Sequence, residues 1–383
     1  MKTIKKIAIA IGAGYTPGIN SIIMGAAISA HKAGWEVVGI RDGFEGLLFP
    51  EKYPNKGLID LGPEVISKLN PMSSDSMGTA ASMDPFNVRT INELEMIEEV
   101  DMSDTLLENI KKENIDGVIA IMMGRGLSIL HKLNAKGLKS VCIPRTVEND
   151  MAATPVAFGF NTALSFCIEM LDRAKQAAVS AKKIGVVEVP GSQAGWLALQ
   201  SGIAALADAV ISPEFPCDVN DLAQNLKSRI TPDKPHALVV VAEGSSFVNL
   251  PGRTEDTLSD LRKALSPSAT EEDSEFTINK SGQAAKTLSY ALQQLLADEV
   301  YPLVLGPWVR GGNTTAVDRQ LGLAYGAASA KALEQSKFGT MATFVPPHID
   351  FVPLIDALNK VRRVDKDHGF IKVAQALGIY TGV

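Results

Sequence analysis

The stretch Ile143-Pro144-Arg145-Thr146-Val147-Glu148-Asn149-Asp150 packs a cation, a hydroxyl and two carboxylates directly behind an apolar run, Gly137-Leu138-Lys139-Ser140-Val141-Cys142. In an α/β protein, ligands sit at the carboxyl ends of parallel strands, so polar side chains concentrated where a strand ends mark a candidate site. A plain turn is the alternative, because Pro, Asn and Asp are also ordinary turn formers.

The elements that position this stretch are read from apolar runs and their punctuation. Lys6 to Ile11 is a near-continuous apolar strand of the kind buried on both faces. It leads into Gly12-Ala13-Gly14-Tyr15-Thr16-Pro17-Gly18-Ile19-Asn20 and then a helix with apolar spacing through Ile22, Ile23, Ala26, Ala27 and Ala30. Strand, Gly-rich turn and helix aim backbone N–H groups at an anion. Tight turns also need Gly for steric reasons alone. A second strand, Trp35 to Ile40, precedes Arg41-Asp42-Gly43-Phe44-Glu45-Gly46-Leu47, and a small-residue loop fills Pro71 to Pro85. An acidic helix over Asp104 to Glu113 leads to a buried strand, Asp116 to Met123, which ends in Gly124-Arg125-Gly126 before a helix from Leu127 to Leu133.

Beyond the opening stretch the alternation continues. A helix is expected over Ser165 to Val179, with strands over Lys182 to Val189, Ala209 to Ile211 and Ala237 to Val241 and a long helix over Gly282 to Ala297. Strand–helix alternation over this length implies doubly wound α/β architecture. Pro251 to Asn279, charged and turn-rich, reads as an insertion or mobile loop.

With 383 residues the chain has room for two domains; 46% hydrophobic and 21% charged residues describe a globular protein. A net charge of −6 leaves no general basic footprint for nucleic acid, so phosphate ligands must be held by local cations. Cys142, Cys167 and Cys217 are odd in number and set in apolar surroundings, which suits reduced thiols in a cytoplasmic protein. The five histidines show no ligand spacing and are expected at the surface or as caps. No stretch approaches the roughly 18 uninterrupted apolar residues of a membrane span.

Taken in order, these motifs resemble the phosphofructokinase family, which transfers phosphate from ATP or pyrophosphate to fructose 6-phosphate. Thr16-Pro17-Gly18-Ile19-Asn20 resembles the end of its GGDAPGMN loop, Gly43 to Leu47 its GYEGL, and Gly78-Thr79-Ala80 part of LGTSR. Pro144 to Asp150 is similar to PKTIDND, Gly159 to Ala163 to GFDTA, Glu188 to Gly191 to EVMGR, and Ala242-Glu243-Gly244 to AEG. Arg310-Gly311-Gly312 and Asp318-Arg319 match RGG and DR, while Phe338 to Ile379 is similar to the longer bacterial subgroup that includes pyrophosphate users.

The resemblance implies two doubly wound α/β domains of phosphofructokinase type with the active site in the cleft between them. A donor domain would span 1–165 plus about 306–345, an acceptor domain 166–305, and an extension packing across both 346–383. It also implies roles. Glu148 takes the acceptor's proton, Asp150 supports it or holds a metal, Thr146 orients the acceptor, and Arg125 neutralises phosphate oxygens. Gly14, Gly18, Gly124, Gly126, Arg145 and Thr79 would bind the donor phosphates; Lys183, Gly191, Glu243 and Arg310 would bind the acceptor. Lys183 would reach a neighbouring subunit's ligand, hence a homodimer or homotetramer, with a hetero-oligomer beside an active paralogue as another arrangement.

Departures from the pattern bear on activity. The family's Mg²⁺-handling aspartate falls on Arg125, and a guanidinium cannot ligate a cation. The arginine of LGTSR falls on Ala81, that of EVMGR on Ser192, a histidine on Pro307 and an arginine on Tyr301. Three readings stay open: phosphotransfer from pyrophosphate or ATP to a small phosphorylated metabolite, a noncatalytic regulatory or structural subunit, and different chemistry on an anionic metabolite. Arg145 resembles the pyrophosphate branch and Gly126 the ATP branch, with a lean to pyrophosphate.

Overall fold

The computed structural model describes residues 4–74, 76–78, 84–91, 96–251 and 281–383. Thr79, Ala81 and the expected insertion beyond Pro251 lie outside the described residues. The chain forms two compact units: Met1–Thr146, Met151–Thr162 and Gly311–Val361 in the first, Val147–Asp150, Ala163–Arg310 and Arg362–Val383 in the second. The extension expected to pack across both domains, 346–383, contributes to both units, up to Val361 to the first and from Arg362 to the second. Hydrogen bonds account for the second part: Arg362 N donates to the Asp150 carbonyl and Tyr380 N to the Asp208 carbonyl.

Among its described residues the first unit is built on a seven-stranded sheet in the order His348–Pro353, Thr340–Val345, Ser140–Pro144, Gly117–Met122, Lys6–Ile11, Glu36–Ile40, Leu58–Asp60. Five neighbouring strands, from Thr340–Val345 to Glu36–Ile40, run parallel, and the two edge strands are antiparallel. Lys6–Ile11 lies centrally, with Ile9 in register with Gly39 on one side and Ile119 on the other. Its residues from Ile7 onward are buried, as a strand covered on both faces must be.

Helix Ile19–Lys32 buries Ile22, Ile23, Ala26, Ala27 and Ala30, the apolar stripe read from the sequence. It packs on helix Ala316–Glu334 with the two backbones close together. A methyl group on Gly25 would lie 2.2 Å from the Leu323 carbonyl oxygen, and one on Gly326 2.1 Å from that of Ile22.

The second unit holds four parallel strands in the order Val300–Val304, Ile184–Val189, Ala237–Ala242, Ala209–Ile211. Helices Val219–Arg229 and Gln283–Leu296 cover one face through Leu222, Leu226, Leu288 and Leu292, in one cluster with Val186, Val239 and Val241. Glu188 is buried inside this unit and accepts hydrogen bonds from Gly282 N and Ala285 N, so a strand carboxylate caps the Gln283–Leu296 helix. All three cysteines are free and buried, as expected. Among the described residues no helix is long and apolar enough to cross a membrane.

Replacing Gly25 by Ala forces the two helices of the first unit apart. The expected cost is about 1–3 kcal/mol, the usual penalty for overpacking, read as a lowered Tm; an unchanged Tm would show that the helices have room to separate.

Candidate active site

The first unit contributes three neighbouring strand ends. From Lys6–Ile11 the chain moves to Glu36–Ile40 on one side, while Gly117–Met122 leads to Ser140–Pro144 on the other. The strand order therefore reverses between Lys6–Ile11 and Gly117–Met122, and such a switch point opens a crevice at the strands' carboxyl ends. Gly12 to Gly18 and Gly124 to Gly126 sit there.

Helix Gly124–Ala135 starts three residues before the expected Leu127, with Met123 extended as its N-cap. Arg125 and Gly126 therefore belong to its first turn, not to a loop. Gly126 has a packing reason: a methyl group there would lie 2.9 Å from Met122 Cβ and Sδ. Arg125 is exposed at the positive end of this helix, where N–H groups and guanidinium together attract an anion.

Arg145 differs from the solvent-facing phosphate ligand its type suggests. It is fully buried, and its guanidinium donates to the main chain of the Gly-rich loop: Nη1 to the Gly14 carbonyl at 2.7 Å and Thr16 Oγ1 at 3.4 Å, Nη2 to the carbonyls of Gly12 at 3.2 Å and Ala13. In a trans peptide the carbonyl and the following N–H point in opposite directions. Three successive carbonyls turned towards Arg145 thus aim the N–H groups of Ala13, Gly14 and Tyr15 the other way, the arrangement of an anion nest. The loop closes at Gly18, which has φ 81° and rests on Thr314, 2.5 Å from where a methyl group would stand. Asp318, fully buried, accepts from Thr162 N and Oγ1 and from Asn161 Nδ2, so the motif residues from 159 to 163 and 318 brace the same corner. Thr146 is buried and donates its N–H to the Phe158 carbonyl.

The second unit assembles the carboxylates. Strands Ile184–Val189, Ala237–Ala242 and Val300–Val304 end side by side in loops carrying Gly191, Glu243 and Arg310, tied by Glu243 N to the Val189 carbonyl and Gly244 N to the Gly191 carbonyl. Into this group comes Glu148. Its Oε2 accepts from Ser192 N at 2.9 Å and Ser192 Oγ at 3.2 Å, and its Oε1 lies 3.9 Å from Arg310 Nη2. Among the described residues Arg310 Nη1 is buried without a hydrogen-bond partner. Burial first, then the charges of Asp150 and Glu243, push the Glu148 carboxyl up to about 8, against a smaller pull downward from Ser192 N and Arg310.

Other sequence-derived residues have local partners. Lys183, proposed to reach a neighbouring subunit, pairs with Glu299 of its own chain. The hydroxyl of Tyr301 donates to the Ala174 carbonyl. His368 caps helix Gly369–Ala376 through Phe370 N, in keeping with the capping role expected of histidines. Sequence reading missed Ser192 as a donor to Glu148, since it stood out only as a lost arginine. It also missed Glu214, which accepts from Gly195 N and Val364 N, and Arg362, whose Nη1 donates to the Asn149 carbonyl. No spacing signal connects these residues.

Magnesium is implied by the resemblance. Among the described residues no three His, Cys, Asp or Glu side chains form a group suited to a metal ion. Arg125, where the aspartate was expected, carries only donors.

Comparison with known proteins completes the assignment. The phosphofructokinase family model matches residues 6–333. The chain belongs to the phosphofructokinase family. Curated relatives include "ATP-dependent 6-phosphofructokinase 2" of Clostridium perfringens, 32% identical with 99% of each chain covered, and "ATP-dependent 6-phosphofructokinase" of Chloroflexus aurantiacus, 31% identical over 99% of this chain and 98% of that one. Among solved structures, the pyrophosphate-dependent phosphofructokinase from Marinobacter aquaeolei superposes with TM-score 0.74 at 19% identity, covering 98% of this chain and 92% of that one. This likeness shows the phosphofructokinase α/β fold. The protein is a phosphofructokinase-family phosphotransferase.

Two substitutions test the site's electrostatics. Because Glu148 holds its proton more tightly in the folded state than its ordinary 4.5 implies, its stabilising contribution is full below pH 4.5 and lost as pH rises through about 8. Glu148→Gln should therefore raise Tm relative to the wild type at pH 9 more than at pH 5. Parallel Tm curves would overturn the burial argument. Arg145→Met should lower stability by roughly 3–5 kcal/mol, because it leaves the buried loop carbonyls of Gly12, Ala13 and Gly14 without their donor at about 1–3 kcal/mol each; a stable variant with only a raised donor KM would show Arg145 to be a direct phosphate ligand.

Proposed function

We propose that this phosphofructokinase-family protein transfers a phosphoryl group from ATP to the hydroxyl of a phosphorylated sugar, with fructose 6-phosphate the first acceptor to test. The observation that carries this reading is the pairing of Glu148 with Arg310. A carboxyl of raised proton affinity stands beside a guanidinium whose Nη1 is buried without a partner among the described residues. An unsatisfied buried donor costs free energy unless a ligand supplies an acceptor, and a sugar phosphate supplies one.

In the reaction, ionised Glu148 accepts the acceptor's hydroxyl proton while that oxygen bonds the γ-phosphorus and the bond to the ADP oxygen breaks. Asp150 and Glu243 make Glu148 more basic, and Ser192 fixes its Oε2 so that Oε1 faces the acceptor. Thr146 orients the acceptor's neighbouring segment, and Glu243 and Gly191 line its seat. On the donor side, the N–H groups after Gly12 and the Arg125 guanidinium neutralise phosphate oxygens, which is most of what phosphoryl transfer asks of a protein.

Neither residue that separates ATP from pyrophosphate in the sequence retains much weight. Arg145 is engaged with loop carbonyls and Gly126 has a packing role. The choice of ATP rests on the curated relatives named above.

The purified protein should phosphorylate fructose 6-phosphate with ATP faster than with pyrophosphate, and kcat should rise as pH passes about 8. Arg310→Ala should raise the acceptor KM about 10- to 100-fold, the worth of one or two charge-assisted hydrogen bonds. Absence of transfer from either donor, with no thermal shift by ATP, pyrophosphate or fructose 6-phosphate, would overturn the proposal and favour the noncatalytic reading.

A further inference from the structure

The turn that carries Glu148 and Asp150 is tied to the C-terminal segment of its unit. Asn149 between them is buried and has φ 55°, in the left-handed region that non-glycine residues visit uncommonly. A relaxation of that one residue would swing both neighbouring carboxylates, because they leave the chain on either side of it. Such a conformation persists when surrounding structure over-determines it.

The surrounding structure here is the C-terminal segment of the same unit. Arg362 N donates to the Asp150 carbonyl at 2.7 Å, and Arg362 Nη1 donates to the Asn149 carbonyl at 3.2 Å. Two successive carbonyls of the turn are thus held by one residue, more than 200 positions away in the chain. That residue is itself fixed three ways. Its guanidinium lies over the Trp196 ring, 3.8 Å from the centroid, and its carbonyl accepts from Trp196 Nε1 at 2.6 Å. Two residues on, Val364 N donates to Glu214 Oε1 at 2.8 Å, and the same carboxylate accepts from Gly195 N, next to Trp196. His368 meets the Trp196 ring edge-on at 4.9 Å between centroids. A half-buried cation stacked on a tryptophan is a favourable contact, and a planar fork holds its direction better than a flexible ammonium.

We propose that Arg362 is a positioning residue for phosphoryl transfer: it clamps the Glu148–Asp150 turn from the C-terminal segment, with Trp196 as its backing. The proposal rests on the phosphotransfer reading for its kinetic consequence. Arg362 touches no reacting atom; it acts through the backbone that aims Glu148.

The test uses the full-length protein and two variants. Arg362→Met keeps the stem and the main-chain bond to Asp150 but removes the fork to Asn149, while Arg362→Lys restores a cation without the fork. For Arg362→Met, kcat should fall by roughly 10- to 100-fold, as a misplacement near 1 Å does. KM for donor and acceptor should stay within about threefold, and Arg362→Lys should recover only part of the loss. A kcat within about twofold of wild type in both folded variants, or a loss carried by KM, would overturn the clamp. If Arg362→Met does not fold, Arg362→Lys decides by the same split of kcat against KM. If the wild type transfers no phosphate, the phosphotransfer reading fails and the clamp is judged by stability alone. The Glu148-dependent fall of Tm between pH 5 and pH 9, taken as the difference from Glu148→Gln, should then shrink in the Arg362→Met background. An unchanged difference would overturn it.

Discussion

A guanidinium with no access to water must be given acceptors by the protein, and Arg145 takes them from the main chain at the end of the central strand. The rest of the first unit's ligand-facing geometry follows from this. Carbonyls drawn towards the cation fix the peptide planes of the loop, and the planes fix where the N–H groups point. Gly18 on Thr314 and the Asp318 carboxylate under Thr162 then hold the start of the following helix. The cation that a phosphate would seem to want is spent on shaping the loop, and an exposed one, Arg125, stands at the neighbouring helix terminus.

The second unit faces the opposite problem, too much negative charge in a place with little water. Burial first, and then the charges of Asp150 and Glu243, hold Glu148's proton well above its ordinary range. A pairing at 3.9 Å with Arg310 offsets this only in part, and among the described residues the guanidinium's Nη1 is buried without a hydrogen-bond partner, a cost that a ligand supplying an acceptor would remove.

The fold was legible in the sequence because parallel strands buried on both faces write themselves as runs such as Ile7 to Ile11 and Ala237 to Val241, and helix Ile19–Lys32 writes its stripe. The placement of Glu148, Glu243 and Arg310 was legible too, since each follows a strand end or lies in the stretch after one. Their roles were less so. Whether an arginine is buried under a loop or exposed at a helix terminus depends on packing across more than 100 positions, and Arg145 and Arg125 look alike in the sequence. The helix start at Gly124 was missed because two glycines flank Arg125, and propensity ranks glycine as a helix breaker. Here Gly126 is required by contact with Met122, which outweighs propensity.

The replacement of an expected arginine by Ser192 has a consequence that loss of charge alone does not describe. An arginine beside Glu148 would stabilise the carboxylate and pull its pKa down. Serine instead gives Oε2 two short-range donors, N–H and Oγ, that fix orientation while adding no full positive charge. Glu148 is therefore held in place and left basic, the combination that a proton acceptor needs and a structural ion pair lacks.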